Sequence, residues 1–275
     1  MIFLAYIELL LFAICAFTVF YLLVYAIAAT GNRTDKYSES RVKHRFAILI
    51  PAYQDDDYIP YTVKSFLQQE YPIDCYDIIV ISDHLKPETN KQLAQYPITL
   101  LQARFKKSSK MKSVKAAMSQ LQEGQYDIVL IMNADNVVDT NFLEVVKQYV
   151  CQRLPMPTPN PSHLSGKTHN VSILNAITDE INNSILRAGH VNLGLSASLN
   201  GSGTAIDFTW FKENIRHLKD DDDEKVIESL LLRERIYVEY LNNTMYMLER
   251  NSGKKKFYEP NKISTWIQKP HKSTW

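Results

Sequence analysis

Four short apolar runs, Phe46–Pro51, Tyr76–Ser82, Ile98–Gln102 and Tyr126–Met132, recur with room for one helix between each pair. A run that is apolar at successive positions suits a strand buried on both faces. The segments between them, Tyr58–Glu70, Pro87–Tyr96 and Met111–Leu121, read as helices. Pro87 fits a first helical turn. Val114, Ala117, Met118 and Leu121 form one apolar stripe at helical spacing. Strands and helices alternating at these lengths predict an α/β fold with a mainly parallel sheet.

Past the fourth run the pattern loosens. A helix is expected from Thr140, an N-cap candidate, to about Gln152. Pro155, Pro157, Pro159 and Pro161 then predict an irregular connection over 155–161. A helix over Val171–Arg187 follows, then a Gly/Ser-rich stretch from Gly194 to Gly203. Four aspartates, Asp220–Asp223, lead into a helical pattern over Val226–Arg235, and Ile236–Leu241 reads as a strand. From Asn251 the chain is polar and basic with no apolar period.

The N-terminus has a different character. No residue from Leu9 to Ala29 is charged, and at about 1.5 Å per residue this stretch covers roughly 30 Å. A signal peptide opens with basic residues. This chain opens MIFLAYIE, and its positive charges, Arg33, Lys36, Arg41, Lys43 and Arg45, come after the span. The reading is a single-pass inner-membrane anchor over 1–30, with the rest of the chain in the cytosol. A linker over 31–45, a globular domain over 46–245 and an irregular polar tail over 246–275 complete the expected organisation. With 275 residues and a net charge of +1, the chain can bury one sizeable core and shows no signature for binding nucleic acid. Cys15, Cys75 and Cys151 are widely spaced, with no metal pattern or disulfide framework.

Candidate chemistry collects where the strands end. YDIVLIMNADN, Tyr126–Asn136, passes abruptly from apolar to polar at Asn133, Asp135 and Asn136. A buried parallel strand ends this way where its carboxyl edge opens into a ligand crevice. An Asp there, beside a second oxygen donor, can hold a hard divalent cation against a diphosphate. Asp55 follows the first strand and Asp83 ends the second; each reads equally as a helix-start or turn residue. Lys106–Lys112, KKSSKMK, precedes a helix and can offer cations and N–H groups to a phosphate, or can be a solvated loop.

Taken in order, PAYQDDDYI, VISDH, SSKMKSVKAAM, NADN and GSGTAIDF resemble the family 2 glycosyltransferases, closest to membrane-bound, processive-type bacterial members. The resemblance covers roughly Phe46 to Leu241. It implies the GT-A nucleotide-sugar fold, α/β with a mixed, mainly parallel central sheet flanked by helices, behind the N-terminal transmembrane helix. By that resemblance Pro51, Ala52, Tyr53 and Asp55 line a nucleoside pocket, Asp83 contacts the base, and Lys110 lies near the sugar nucleotide. Asn133 and Asp135 occupy the metal triplet, with Asp135 the direct ligand of Mg²⁺ or Mn²⁺. Gly201, Ser202 and Gly203 form the acceptor-side loop, and Asp223 or Glu224 is the catalytic base.

The activity implied is inverting, metal-assisted transfer from a UDP-sugar to a saccharide or lipid-linked acceptor at the membrane. Three departures accompany the resemblance. Asn133 stands where the family has a carboxylate, the acidic run matches the Glu-Asp pair loosely, and no Gln-x-x-Arg-Trp motif follows it. They leave a second reading, a weakened, truncated homologue that binds nucleotide-sugar or a partner.

Overall fold

The computed structural model describes residues 2–31, 42–150, 156–164, 177–178, 181–199 and 201–248. After helix α1 (Ile2–Ala29), strand β1 (Phe46–Tyr53), helix α2 (Ile59–Leu67), β2 (Tyr76–Asp83), α3 (Pro87–Leu93), β3 (Thr99–Ala103), α4 (Lys110–Gln120) and β4 (Ile128–Ile131) follow in alternation. The four apolar runs are thus the four strands, and the three predicted helices lie between them with ends shortened or shifted. Next come β5 (Asn136–Val138), α5 (Phe142–Val150) and β6 (Met156–Leu164). A π-helical stretch, Asn182–Ala188, runs into α6 (Gly189–Asn192). The chain then forms β7 (Thr204–Asp207), α7 (Phe208–Asn214), α8 (Glu224–Arg233) and β8 (Val238–Leu248).

The main sheet has the order β3-β2-β1-β4-β7. Its first four strands are parallel, and β7 joins β4 antiparallel. Side chains of β1 alternate between faces, as the two-residue strand period requires. Phe46, Ile48 and Ile50 pack with Ile59, Val63 and Phe66 of α2 and with Phe142 and Val146 of α5. Ala47 and Leu49 pack on the other face with Met111, Val114 and Met118 of α4, Phe208 of α7 and Leu231 of α8. Each large aliphatic side chain buried in this way contributes about 1.5–3 kcal/mol. With both faces covered, the functional groups are confined to the sheet's ends.

Because β7 runs against β4, with Ile131 beside Thr204, β7 begins at the edge where β1, β2 and β4 finish. The loop Gly201–Gly203 therefore arrives at the same edge as the tips of the parallel strands.

Proline misled the sequence reading over 155–161. From Met156 the chain is a strand, β6, at the edge of a second sheet of order β5-β8-β6. Proline is tolerated on an edge strand. Pro157 and Pro159 lie two apart in a regular stretch, so their missing N–H groups fall on one side of the strand. Thr158 and Ser162 are in register with Tyr240 and Tyr246 of β8, and the parallel ladder shifts register between Pro159 and Pro161. Strand β8 begins two residues later than the predicted strand and extends through Leu248, into the stretch read as tail. Thr140 does not cap α5; its hydroxyl donates to Glu70 Oε1 at 3.2 Å.

Helix α1, long and apolar enough over Phe3–Ala29 to cross a membrane, touches the rest of the chain near its C-terminal end. The Tyr25 ring stacks on His190 with centroids 4.1 Å apart. Asn192 Nδ2 donates to the carbonyls of Ala28 and Gly31 at 2.9 and 3.0 Å. A Cβ on Gly189 would lie 2.6 Å from the Tyr25 carbonyl oxygen, so only glycine permits this approach. The predicted helix over 171–187 continues to Asn192; its first residues, 171–176, lie outside the described residues, as do linker residues 32–41 and tail residues 249–275.

Candidate active site

β1 and β2 end in the same way. Their registered last residues, Tyr53 and Asp83, are followed by Gln54 and His84, both in the left-handed region at φ 55° and 58°. Non-glycine residues rarely adopt it. These turns carry the chain away from the sheet and leave the two tips open. The opening is a cavity of 380 Å³ whose lining includes Pro51, Ala52, Tyr53, Asp55, Asp83, Lys110 and Asn133, with Ser108, Ser109 and Ser113 added from α4 and the loop before it. Asp83 is fully buried. Its Oδ1 accepts from the Phe105 N–H at 3.3 Å and lies 2.6 Å from His84 Nδ1. Its Oδ2 has no hydrogen-bond partner among the described residues. A buried carboxylate oxygen without a donor is costly unless a ligand supplies one.

The Asn133–Asp135 turn is held on both sides. Thr62 donates to the Ala134 carbonyl at 2.6 Å. Ser202 Oγ accepts from the Asn133 N–H at 2.9 Å and donates to Asn136 Oδ1 at 3.2 Å. The Gly203 N–H donates to the Ile131 carbonyl at 2.8 Å. The Gly-Ser-Gly loop is therefore a brace for this turn as well as a wall of the crevice. Asp135 is buried and belongs to the lining of neither cavity described here.

The basic and acidic runs, each read separately in the sequence, face each other. Lys112 and Lys115 of α4 pair with Asp220 at 3.9 and 3.2 Å. Asp223 caps α8, its side chain accepting from the Lys225 N–H at 3.0 Å. Glu224 instead turns inward, 3.0 Å from Lys110 Nζ. Lys110 also donates to Asn133 Oδ1 at 2.9 Å. Gly201, at φ 68°, sits so close that a Cβ there would come within 3.1 Å of Glu224 Oε1.

A second cavity, of 160 Å³, is lined by Lys110, Gly201, Asp223, Glu224 and apolar groups including Met111, Leu199 and Ile227. Lys110 lines both cavities and links them. Sequence reasoning overlooked Thr62 and Ser109, and it placed Ser202 in the acceptor-side loop without its bonds to the Asn133 turn. Ser109 carried a usable signal, since a serine directly before an apolar helical stripe is an N-cap, and its side chain accepts from the Lys112 N–H.

A divalent cation needs several hard oxygen donors. Among the described residues no three His, Cys, Asp or Glu side chains converge. The Asn133 carboxamide oxygen is neutral and already accepts from the Lys110 ammonium. The Asn133 oxygen is thus served by an ammonium in this structure.

Burial pushes the Lys110 pKa down, partly opposed by Glu224 and Asp135, leaving it below the usual 10.5. Burial also works to raise the Glu224 pKa, but the Lys110 charge and hydrogen bonds outweigh it and hold the carboxyl below 4.5. In each window the unfolded chain binds more protons, so both groups make stability rise with pH. Glu224's contribution is present above its unfolded pKa and lost as pH falls through its lower folded value. The cost of charging buried Lys110 is relieved as pH rises from its folded value towards 10.5. Acid unfolding of full-length chain in detergent, followed against Glu224→Gln, is expected to show a smaller loss of stability below pH 4.5 in the variant.

A mainly parallel sheet, a crevice at its carboxyl edge and a carboxylate in an adjoining cavity make an α/β arrangement suited to a nucleotide-type ligand. The family model for the glycosyltransferase-like family 2 matches residues 44–217, more than half of the chain, and the chain belongs to that family. No protein of curated function gives a sequence match.

Among solved structures, the chain is similar to the mannosyltransferase PcManGT from Pyrobaculum calidifontis in complex with GDP-Man and Mn²⁺. The TM-score is 0.63 at 14% identity, over 88% of this chain and 68% of that one. It is also similar to S. aureus TarS 1-349, at TM-score 0.51 and 13% identity, over 74% of this chain and 60% of that one. The TarS complex with UDP-GlcNAc gives TM-score 0.51 at 15% identity, over 76% and 59%.

Proposed function

We propose that the protein transfers a sugar, with inversion, from a UDP-sugar to a hydroxyl of a saccharide or lipid-linked acceptor at the cytosolic face of a membrane. The observation that carries this is Lys110, which joins the cavity at the strand tips to the one that holds Glu224. The nucleoside lies in the first cavity over Pro51, Ala52 and Tyr53, with Asp55 at its mouth and Asp83 Oδ2 accepting from the base. UDP and UDP-GlcNAc in TarS structures, and GDP-Man in PcManGT, support a nucleoside diphosphate donor. The acceptor enters the second cavity past Gly201.

Glu224 takes the hydroxyl proton as the acceptor oxygen bonds to the anomeric carbon and the bond from that carbon to the diphosphate breaks. Asp223, engaged as a helix cap, is the weaker candidate for base. Mn²⁺ in PcManGT supports a metal-assisted version in which Asp135 is the protein ligand, and the Lys110 ammonium on Asn133 Oδ1 argues against it. The apolar length of α1 and the basic residues after it support a membrane anchor with the domain in the cytosol.

Asn133 favours a second reading, a homologue that binds nucleotide-sugar without turning it over. Full-length chain in detergent, given UDP-sugars with and without Mn²⁺, distinguishes the two. Release of UDP that disappears in Glu224→Gln is expected. UDP binding with no release under either condition would establish the binding protein instead.

A further inference from the structure

We propose that the Lys110 ammonium provides the positive charge that receives the donor's diphosphate, so that this chain binds and uses its donor without a divalent metal. The inference rests on the nucleotide-sugar reading above. At the end of β4, the position expected to hold a cation is already served by one. Lys110 Nζ lies 2.9 Å from Asn133 Oδ1 and 3.0 Å from Glu224 Oε1, and Asp135 is near enough to act on its charge.

A carboxylate at position 133 would serve a dication. The carboxamide found there accepts a hydrogen bond from an ammonium and adds no charge of its own. Asparagine and lysine are thus matched to each other, and the same substitution that weakens a metal site accommodates the lysine. Lys110 is the first residue of α4, an 11-residue helix, and it lines the strand-tip cavity together with Ser108 and Ser109. A diphosphate in that cavity meets the ammonium at the N-terminal end of α4, where the helix dipole also favours an anion.

Binding also exchanges partners. The diphosphate competes with Glu224 for Lys110, and the carboxylate is released towards the acceptor cavity. When the sugar is transferred, the electrons of the broken bond pass to the diphosphate oxygen, whose charge lies against the ammonium.

The test is UDP binding to full-length chain in detergent, by calorimetry, in excess EDTA and again with Mn²⁺. The expected result is binding in EDTA, altered less than about threefold by Mn²⁺. Lys110→Met should weaken it about tenfold to a hundredfold, the usual range for a lost charge-assisted bond. Lys110→Arg, which keeps the charge, should recover most of the loss. UDP binding that requires Mn²⁺, or that survives Lys110→Met in EDTA, would overturn the proposal and leave the nucleotide-sugar reading standing. Failure to bind UDP with and without Mn²⁺ would overturn both.

Discussion

Glu224→Gln is expected to abolish sugar transfer while leaving donor binding intact. Glutamine keeps the shape of the side chain and its neighbours Lys110 and Gly201, but it cannot accept the proton of the attacking hydroxyl. Loss of a general base costs about 10²- to 10⁴-fold in rate, so kcat should fall into that range with UDP affinity the same or tighter, since the carboxylate that competes for Lys110 is gone. The neighbouring Asp223→Asn provides the contrast. Asparagine caps a helix as well as aspartate does, so α8 stays in place and transfer should persist. Steady-state kinetics on the two variants decide which acid of the run does chemistry. An equal loss in both would mean that Glu224 acts only by positioning its loop.

Asp83→Asn should separate stability from function. In the free protein Asp83 is fully buried, and its Oδ2 has no hydrogen-bond partner among the described residues. An amide there removes the anionic oxygen left without a donor but weakens the contact with His84, so the free variant should unfold close to the parent's temperature. Its affinity for UDP should fall about tenfold to a hundredfold, because the acceptor aimed into the crevice has become a donor or a weaker acceptor. Thermal unfolding and calorimetry on one preparation check both. A variant that loses stability and keeps its affinity would make Asp83 a structural partner of His84 and the Phe105 N–H, with no part in reading the base.

The alternation of β1 to β4 with their helices was legible because each strand there is buried on both faces and so apolar at successive positions. The crevice residues could be placed from the same evidence, since parallel strands put their carboxyl ends together. What escaped detection depends on pairing between distant segments. Thr204–Asp207 is too short to declare itself a strand, and its antiparallel direction, which delivers Gly201–Gly203 to the crevice, comes only from docking on β4. The basic run at Lys106–Lys112 and the acidic run at Asp220–Glu224 each had a sufficient local explanation, as a solvated loop and a helix start. Only the folded chain shows that they meet, and that Glu224, unlike Asp220 and Asp223, turns towards Lys110. The prolines of β6 were judged by propensity alone, which does not reveal that a strand will lie at an edge.

That edge has a further consequence. An open strand border invites a second molecule to add its own strand, and the unpaired N–H groups are half of the template. β6 carries proline at 157, 159 and 161, so three of its positions have no N–H to offer such a template. A chain with such a border would otherwise be at risk of associating there. The prolines let β6 pair with β8 on either side of a register shift while leaving it fewer donors with which to recruit another chain.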